Sequence, residues 1–176
     1  MPAVGSDVVK TLSLKDALDL AIAIEEEAQA RYEEFAKVTG GRYAGDAGDM
    51  FRQMAGYEAR HRADLASRRR ALFGDAPRRF TADELDDVEA PHRGSPRTFM
   101  SARQALEVAL ASEEKAQDFF AEATRQAQDR EVRALFADLE QEEANHVKLV
   151  RGRLEQLPTG PDLEDDEADA PGSDGG

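Results

Sequence analysis

The sequence lacks cysteine and tryptophan altogether, and aromatic residues make up only 6% of it. Without cysteine there can be no disulfide bond, thiolate nucleophile or zinc finger, and no iron–sulfur centre held by the chain's own thiolates. The shortage of aromatic residues argues against a β-sandwich or barrel. These absences favour an all-helical protein whose chemistry uses other side chains.

Long hydrophobic runs are also missing. No segment approaches the roughly 18 apolar residues that a membrane-spanning helix requires. The first residues, MPAVGSDVVK, lack the basic and apolar regions of a signal peptide. We therefore expect a cytoplasmic protein with no membrane partner.

Positive charge is scarce relative to negative charge. The chain has 23 Lys and Arg against 37 Asp and Glu, which gives a formal net charge of −14. Such a chain should avoid nucleic acid and could attract cations. Many of the acids lie in residues 158–176, which contain almost no apolar residues, so we expect a disordered acidic tail. Residues 1–12 are expected to form a flexible N-terminus.

The residues that are abundant, chiefly Ala, Glu, Arg and Leu, are typical of amphipathic helices. Apolar residues recur at helical spacing in four segments, which begin near Ser13, Ala47, Ser101 and Asp129. Gly40, Gly74 and Pro158 end the first, second and fourth of them. The apolar face of the second segment is predicted to comprise Phe51, Met54, Leu65 and Leu72.

The connections between these segments predict the architecture. The first two segments are close in sequence, as are the last two, so each pair should form an antiparallel hairpin. Between the pairs lies a Pro- and charge-rich crossover, residues 74–98, with a short helix predicted at TADELDD. The expected fold is a four-helix bundle over residues 13–157 with one long crossover.

The two hairpins resemble each other in sequence. Residues 17–36 align without gaps on residues 105–124, and residues 50–61 align on residues 135–146. The second alignment superimposes the motif EARH, residues 58–61, on EANH, residues 143–146. The chain therefore looks like a duplicated hairpin with a pseudo-two-fold axis.

Each predicted helix carries ionisable residues on its apolar face. Spacing alone places six of them in the core: Glu25, Glu58, His61, Glu113, Glu143 and His146. Four buried carboxylates would repel one another unless they were protonated or paired with cations. Two divalent metal ions would balance their charge, and donors that are mainly oxygen with some nitrogen suit iron or manganese better than structural zinc. The alternatives are a solvated helix face or a polar network in the core.

Other polar residues near this set received separate predictions. Tyr32 lies two turns after Glu25 on the same face, either as a core aromatic or as a hydrogen-bond partner or one-electron donor for the site. His92 is expected in a solvated loop. Residues 68–70, all arginine, suit the C-terminal end of a helix dipole and are given no binding role. Four further glutamates are expected on the surface: Glu26, Glu27, Glu114 and Glu142.

These motifs resemble those of the ferritin-like superfamily and, within it, of rubrerythrin-type proteins. The resemblance covers residues 13–157 and implies a di-iron centre in which Glu58 and Glu143 bridge the ions. It also implies that each remaining glutamate and histidine pair completes one iron site, Glu25 with His61 and Glu113 with His146. Manganese could replace iron in such a site.

The sequence departs from the family pattern in three places. Rubrerythrins proper carry a C-terminal rubredoxin domain, whereas the tail of this sequence is acidic and contains no cysteine, so we expect an external protein to donate electrons. A glutamate expected one turn after the third-helix ligand is replaced by Ala116. The remaining ligands resemble those of bacterioferritin, but Ala59 stands where a haem-ligating methionine would follow the second-helix glutamate, so no haem is expected.

The resemblance implies an oxidoreductase that oxidises Fe(II) with hydrogen peroxide or dioxygen, as a peroxidase or as a ferroxidase. The alternative is a non-catalytic protein that binds, carries or stores iron. The family also implies a homodimer, and the long crossover would allow two chains to exchange hairpins.

Overall fold

The computed structural model describes residues 6–41, 43–85, 88–92 and 99–158. This part of the chain is all-α and contains no strand, which confirms the predicted fold class. Its helices are α1 (Ser6–Lys10), α2 (Leu14–Thr39), α3 (Ala47–Phe73), α4 (Ala102–Gln126) and α5 (Arg130–Gln156). A 3₁₀ turn at Ala82–Glu84 lies within the segment predicted as a short helix. The predicted acidic tail lies outside the described residues apart from Pro158.

The long helices begin where the sequence supplies side-chain caps. Ser13 Oγ accepts a hydrogen bond from the backbone N–H of Asp16 at the start of α2. Asp46 and Asp129 cap α3 and α5 in the same way. At α4, Ser101 and Gln104 form a reciprocal capping box. These caps satisfy backbone donors that would otherwise have no partner in the first turn.

The helices pack as two antiparallel hairpins, α2 with α3 and α4 with α5, and the hairpins meet through α3 against α4 and α2 against α5. Two glycines allow the close approach at the turn between α2 and α3. A Cβ added to Gly48 would lie 2.3 Å from Gly40 Cα, and a Cβ added to Gly40 would lie 2.6 Å from Ala36 O. A larger residue at Gly48 would therefore push the two helices apart.

The core consists of two apolar clusters at opposite ends of the bundle. One is formed by apolar residues within 17–24 of α2, 120–127 and 132–139, by Leu65, Leu85 and Val88, and by Val9 of α1 with the following Leu12. The other is formed by apolar residues within 32–36, 47–55 and 105–109, together with Met100 and Val150. The residues between these clusters on every long helix are those predicted to carry the metal site. The apolar clusters therefore enclose a polar layer at mid-bundle.

Two details differ from the sequence predictions. Residues 6–10 form a helix, and its Val9 and the following Leu12 are only 3% exposed, so part of the predicted flexible N-terminus packs on the core. Leu72 was predicted on the apolar face of α3 but is 54% exposed. On that face of the last turns the buried residue is instead Arg69, which binds Asp19.

The start of the crossover is fixed by a buried ion pair between the two helices of the first hairpin. Arg69 donates to Asp19 of α2 and also to the carbonyl oxygens of Gly74, Ala76 and Pro77. Arg69 was predicted to have no binding role, and its structural role is set by a partner 50 residues away. No helix in the described part of the chain is long and apolar enough to cross a membrane.

Candidate metal centre

The structure brings together all six residues that spacing placed in the core. Glu25, Glu58, Glu113 and Glu143 are fully buried, one on each long helix, and His146 is 9% exposed. Potential ligand atoms lie within 4.8 Å of one another in several groups that join the two hairpins. These groups include Glu58 with His61 and His146, and Glu25 with His61 and Glu143.

The half of the site on α4 and α5 is held by hydrogen bonds. His146 Nδ1 lies 3.0 Å from Glu113 Oε2 and 3.5 Å from Glu143 Oε2. Burial disfavours the imidazolium, but the hydrogen bond to Glu113 and the nearby Glu143 carboxylate outweigh it and raise the pKa of His146 to about 10. Burial and the neighbouring Glu113 carboxylate raise the pKa of Glu143 to about 7, despite the nearby His146.

Tyr32 belongs to this same half, although it lies on α2. Its hydroxyl donates a hydrogen bond to Glu113 Oε1 at 3.1 Å, and the side chain is fully buried. Burial and the nearby Glu113 and Glu58 carboxylates raise the pKa of Tyr32 well above its usual range, so the hydroxyl keeps its proton. The hydrogen-bond role that the sequence allowed for Tyr32 is thus present, and the pseudo-equivalent Phe120 cannot provide it.

The half of the site on α2 and α3 has far fewer internal partners. His61 Nδ1 lies 3.7 Å from Glu25 Oε1, which is beyond hydrogen-bond distance. Within the described part of the chain, neither oxygen of Glu25 or of Glu58 has a hydrogen-bond partner. Burial and the charge of Glu143 raise the pKa of Glu25 well above its usual range, and burial together with Glu113 and Glu25 does the same for Glu58.

The two histidines meet at the interface between the hairpins. Their rings stack with centroids 4.7 Å apart and planes 5° from parallel. Tyr57 also lies near His146, with ring centroids 5.4 Å apart. The stacking brings imidazoles from α3 and α5 to one edge of the layer of carboxylates.

A seventh residue, Glu89 of the crossover, lies in the site and was missed by the sequence predictions. It is fully buried, and its carboxylate groups with those of Glu25 and Glu58 within 4.8 Å. Burial and the Glu58 and Glu25 charges raise its pKa well above the usual range. The sequence did contain one sign that Glu89 is buried, because its neighbours Val88, Ala90 and Pro91 form an apolar stretch inside a charged crossover.

One of the four glutamates predicted on the surface is buried, so that prediction was wrong. Glu27 is only 9% exposed and forms an ion pair with the buried Arg31, because the crossover covers this side of α2. Glu26 and Glu114 are partly exposed and pair with arginines, and Glu142 is exposed. His92 is exposed, as predicted for a loop residue.

A groove between α3 and α5 leads to the site. His61 lines it, with a side chain that is 18% exposed. Its other lining residues are four apolar or basic side chains and three acids, namely Leu65, Arg68, Leu135, Leu139, Asp64, Asp138 and Glu142. A small oxidant or a cation could therefore reach the histidine edge of the site without opening the bundle.

The donor set fits a pair of metal ions. Carboxylates whose oxygens have no hydrogen-bond donor are costly to bury, and cations would compensate them. Glu143 groups with residues of both halves, with Glu25 and His61 on one side and with Glu113 and His146 on the other. Oxygen donors with one imidazole for each metal are suited to iron or manganese.

A four-helix bundle with carboxylates and two Glu-x-x-His motifs at its centre defines the class of carboxylate-bridged dimetal bundles. The family model described as rubrerythrin matches residues 16–154 of the chain, with a further match at residues 104–171. The chain therefore belongs to the rubrerythrin family, within the ferritin-like superfamily. Membership suggests a di-iron protein.

Two solved structures resemble the chain. An uncharacterized conserved protein from Magnetospirillum magnetotacticum MS-1 is 29% identical, with a TM-score of 0.66 over 85% of this chain and 99% of that one. A hypothetical protein from Pyrococcus furiosus is 21% identical, with a TM-score of 0.54 over 82% and 89% of the two chains, and so supports the fold alone. No curated protein is significantly similar to the chain.

Proposed function

We propose that the protein is a di-iron oxidoreductase that oxidises Fe(II) with hydrogen peroxide or dioxygen. The observation that supports this most directly is the group of buried carboxylates on Glu25, Glu58 and Glu143 whose oxygens have no hydrogen-bond donor. Bound iron would supply the electrons that reduce the oxidant. The family membership and the groove to His61 are consistent with that chemistry.

The proposed metal ligands come from both hairpins. Glu58 and Glu143 would contribute to the binding of both ions, since each groups with residues from both hairpins. Glu25 with His61 would hold one ion and Glu113 with His146 the other, in agreement with the distances of 3.7 and 3.0 Å between the paired carboxylate oxygen and imidazole nitrogen.

Tyr32 is proposed as a positioning residue. Its hydroxyl holds one oxygen of Glu113, which directs the other oxygen towards His146. A tyrosine whose proton is retained at neutral pH can keep this hydrogen bond while the charge of the site changes.

A stopped-flow experiment tests the proposal. Anaerobic protein loaded with Fe(II) is mixed with peroxide or dioxygen, and the near-ultraviolet absorbance of the ferric product is followed. The double variant Glu58→Ala with Glu143→Ala should bind little iron and lose the rapid phase. Glu140→Ala, at a partly exposed position, with the exposed Glu155→Ala is a control with the same change in charge. If the first variant bound and oxidised iron as the wild type does, the assignment of the site would be refuted.

The fate of the iron separates the two catalytic forms of the proposal. Iron that stays bound after oxidation and is reduced again by an external electron donor protein indicates a peroxidase. Iron that is released as Fe(III) indicates a ferroxidase. Tight Fe(II) binding without accelerated oxidation would instead favour the non-catalytic alternative of storage or transport. Metal analysis by mass spectrometry after gel filtration, with the molar mass in solution, tests both the metal content and the proposed homodimer.

A further inference from the structure

We propose that Glu89 is an additional metal ligand, supplied by the crossover to the ion held beside Glu25 and Glu58. The inference rests on the proposed function, because it adds a donor to the same dimetal centre. It goes beyond the ligand set implied by the family resemblance, in which every ligand comes from the four long helices.

The position of the Glu89 side chain is the first observation that supports this role. The residue is 0% exposed, and neither carboxylate oxygen has a hydrogen-bond partner among the residues that the structure describes. An oxygen of Glu89 lies within 4.8 Å of oxygens of both Glu25 and Glu58. Three carboxylates gathered in this way in an apolar interior repel one another, and a cation between them explains their arrangement.

Two cationic side chains fix the backbone that immediately follows Glu89. Lys115 Nζ on α4 donates to the carbonyl oxygen of Ala90 at 2.9 Å. Arg31 Nη1 on α2 donates to the carbonyl oxygen of Pro91 at 3.0 Å and is itself held by Glu27. These side chains bind the backbone and make no hydrogen bond to the Glu89 oxygens. The carboxylate is thus presented to the site by a segment that is anchored on both hairpins.

Packing alone does not require a glutamate at this position. Val88, Ala90 and Pro91 are buried beside it, so an apolar residue would suit the surroundings of position 89 better than a carboxyl group. On α4, Ala116 replaces a glutamate expected from the resemblance, and Glu89 restores the number of carboxylates from a different element. The crossover would then contribute directly to the metal site.

Glu89 also changes the charge balance of the centre. The four helical glutamates provide −4, which two divalent ions neutralise, whereas five carboxylates provide −5. The magnitude of this negative charge lies between the +4 of two Fe(II) and the +6 of two Fe(III). Glu89 should therefore favour the oxidised pair and lower its reduction potential.

The test is an anaerobic titration with Mn(II) that is monitored by isothermal titration calorimetry. It measures metal binding without any turnover. The wild type is expected to bind two ions. Glu89→Gln should still bind two, with the affinity for one of them reduced by about tenfold or more. The exposed Glu155→Gln, about 18 Å along α5 from Glu143, is the matched control and should bind as the wild type does.

Thermal unfolding distinguishes a lost ligand from a damaged fold. Metal-free Glu89→Gln should melt at the same temperature as the metal-free wild type or higher, while the rise in Tm caused by Mn(II) should shrink. Lys115→Met releases the backbone of the crossover but keeps the Glu89 carboxylate, so it should lower the affinity for the same ion.

Each contrary outcome has a clear meaning. Wild-type affinity for both ions in Glu89→Gln would overturn the role of Glu89 and leave the proposed function intact. A loss of folding in Glu89→Gln together with unchanged Mn(II) binding in Lys115→Met would also overturn it. A wild-type chain that bound no divalent metal would overturn the proposed function itself.

Discussion

The two halves of the candidate metal centre have nearly the same sequence pattern but different internal partners. Glu113 accepts a hydrogen bond from Tyr32 and contacts His146, whereas the oxygens of the equivalent Glu25 have no partner. A duplicated motif has therefore produced one glutamate–histidine pair, Glu113 with His146, that is hydrogen-bonded without metal and one, Glu25 with His61, that is not. Matching ligands in a repeat do not imply matching energetics.

The difference has two identifiable causes outside the motif. Tyr32 of α2 donates a hydrogen bond to the other hairpin. Its pseudo-equivalent Phe120 has no hydroxyl and cannot donate one in the opposite direction. The crossover places Glu89 beside Glu25 and Glu58, which adds repulsion to the half that already lacks donors. The stability of the half on α2 and α3 should therefore depend more strongly on bound metal than that of the half on α4 and α5.

The largest expected effect is that of pH on the metal-free protein. The contribution of Glu143 to stability is complete below its ordinary pKa of 4.5 and is lost as the pH rises through its folded value of about 7. That of His146 is complete below 6.5 and is lost as the pH approaches about 10. Urea unfolding with a chelator present should show stability falling from pH 5 to pH 8, by up to about 3 kcal/mol from Glu143.

A control isolates the Glu143 contribution to this pH dependence. Glu143→Gln should make the curve between pH 4.5 and 7 shallower by the Glu143 contribution, while the other buried glutamates and His146 maintain a decline towards higher pH. Stability that was constant or rising across the whole range in the metal-free wild type would contradict the raised pKa values.

Equivalent substitutions in the two halves should have unequal effects. Glu113→Gln weakens charge-assisted hydrogen bonds and should destabilise the metal-free protein by about 2 kcal/mol at pH 7. Glu25→Gln removes a carboxylate without partners and should change stability by less than about 0.5 kcal/mol or increase it. Each variant is the control for the other, and equal losses in urea unfolding would show that the two halves are equivalent.

The hydroxyl of Tyr32 should carry part of this difference. Tyr32→Phe should cost about 1 kcal/mol in the metal-free protein, because Glu113 Oε1 loses a buried donor. Tyr57→Phe, which removes a half-buried hydroxyl that accepts from Arg153, should cost less. Similar values for the two variants in chemical denaturation would argue against a special role of Tyr32.

The smallest expected effect concerns the groove that reaches His61. Asp138→Asn with Glu142→Gln removes two acidic side chains from its lining and should slow Mn(II) loading about two- to fivefold at low salt. Equilibrium affinity should stay the same, and the difference should vanish at high salt. Stopped-flow loading that was unaffected at low salt would show that metal enters elsewhere.

The sequence predicted the features that follow from helical periodicity. The caps at Ser13 and Ser101 and the core positions of Glu58 and Glu143 follow from spacing, since one turn of helix fixes the direction of each side chain. Glu89 could not be placed in this way, because an irregular crossover has no period that indicates which side chains point inward.

Contacts between distant segments were also beyond the reach of spacing. Arg69 pairs with Asp19 across 50 residues, and Glu27 is buried because the crossover covers it. Both depend on the path of a connection that sequence patterns do not specify. The position of Leu72 was wrong for a related reason, because Arg69 takes the buried face near the end of α3.

The polar layer between the two apolar clusters has a consequence for cooperativity. Without metal, repulsion between carboxylates at mid-bundle weakens the connection between the two ends of the core, so each end can open with its own free energy. Metal ions bound by both hairpins would join these ends into one unit. Amide hydrogen exchange should then separate two groups of protected amides in the metal-free protein and only one in the loaded protein.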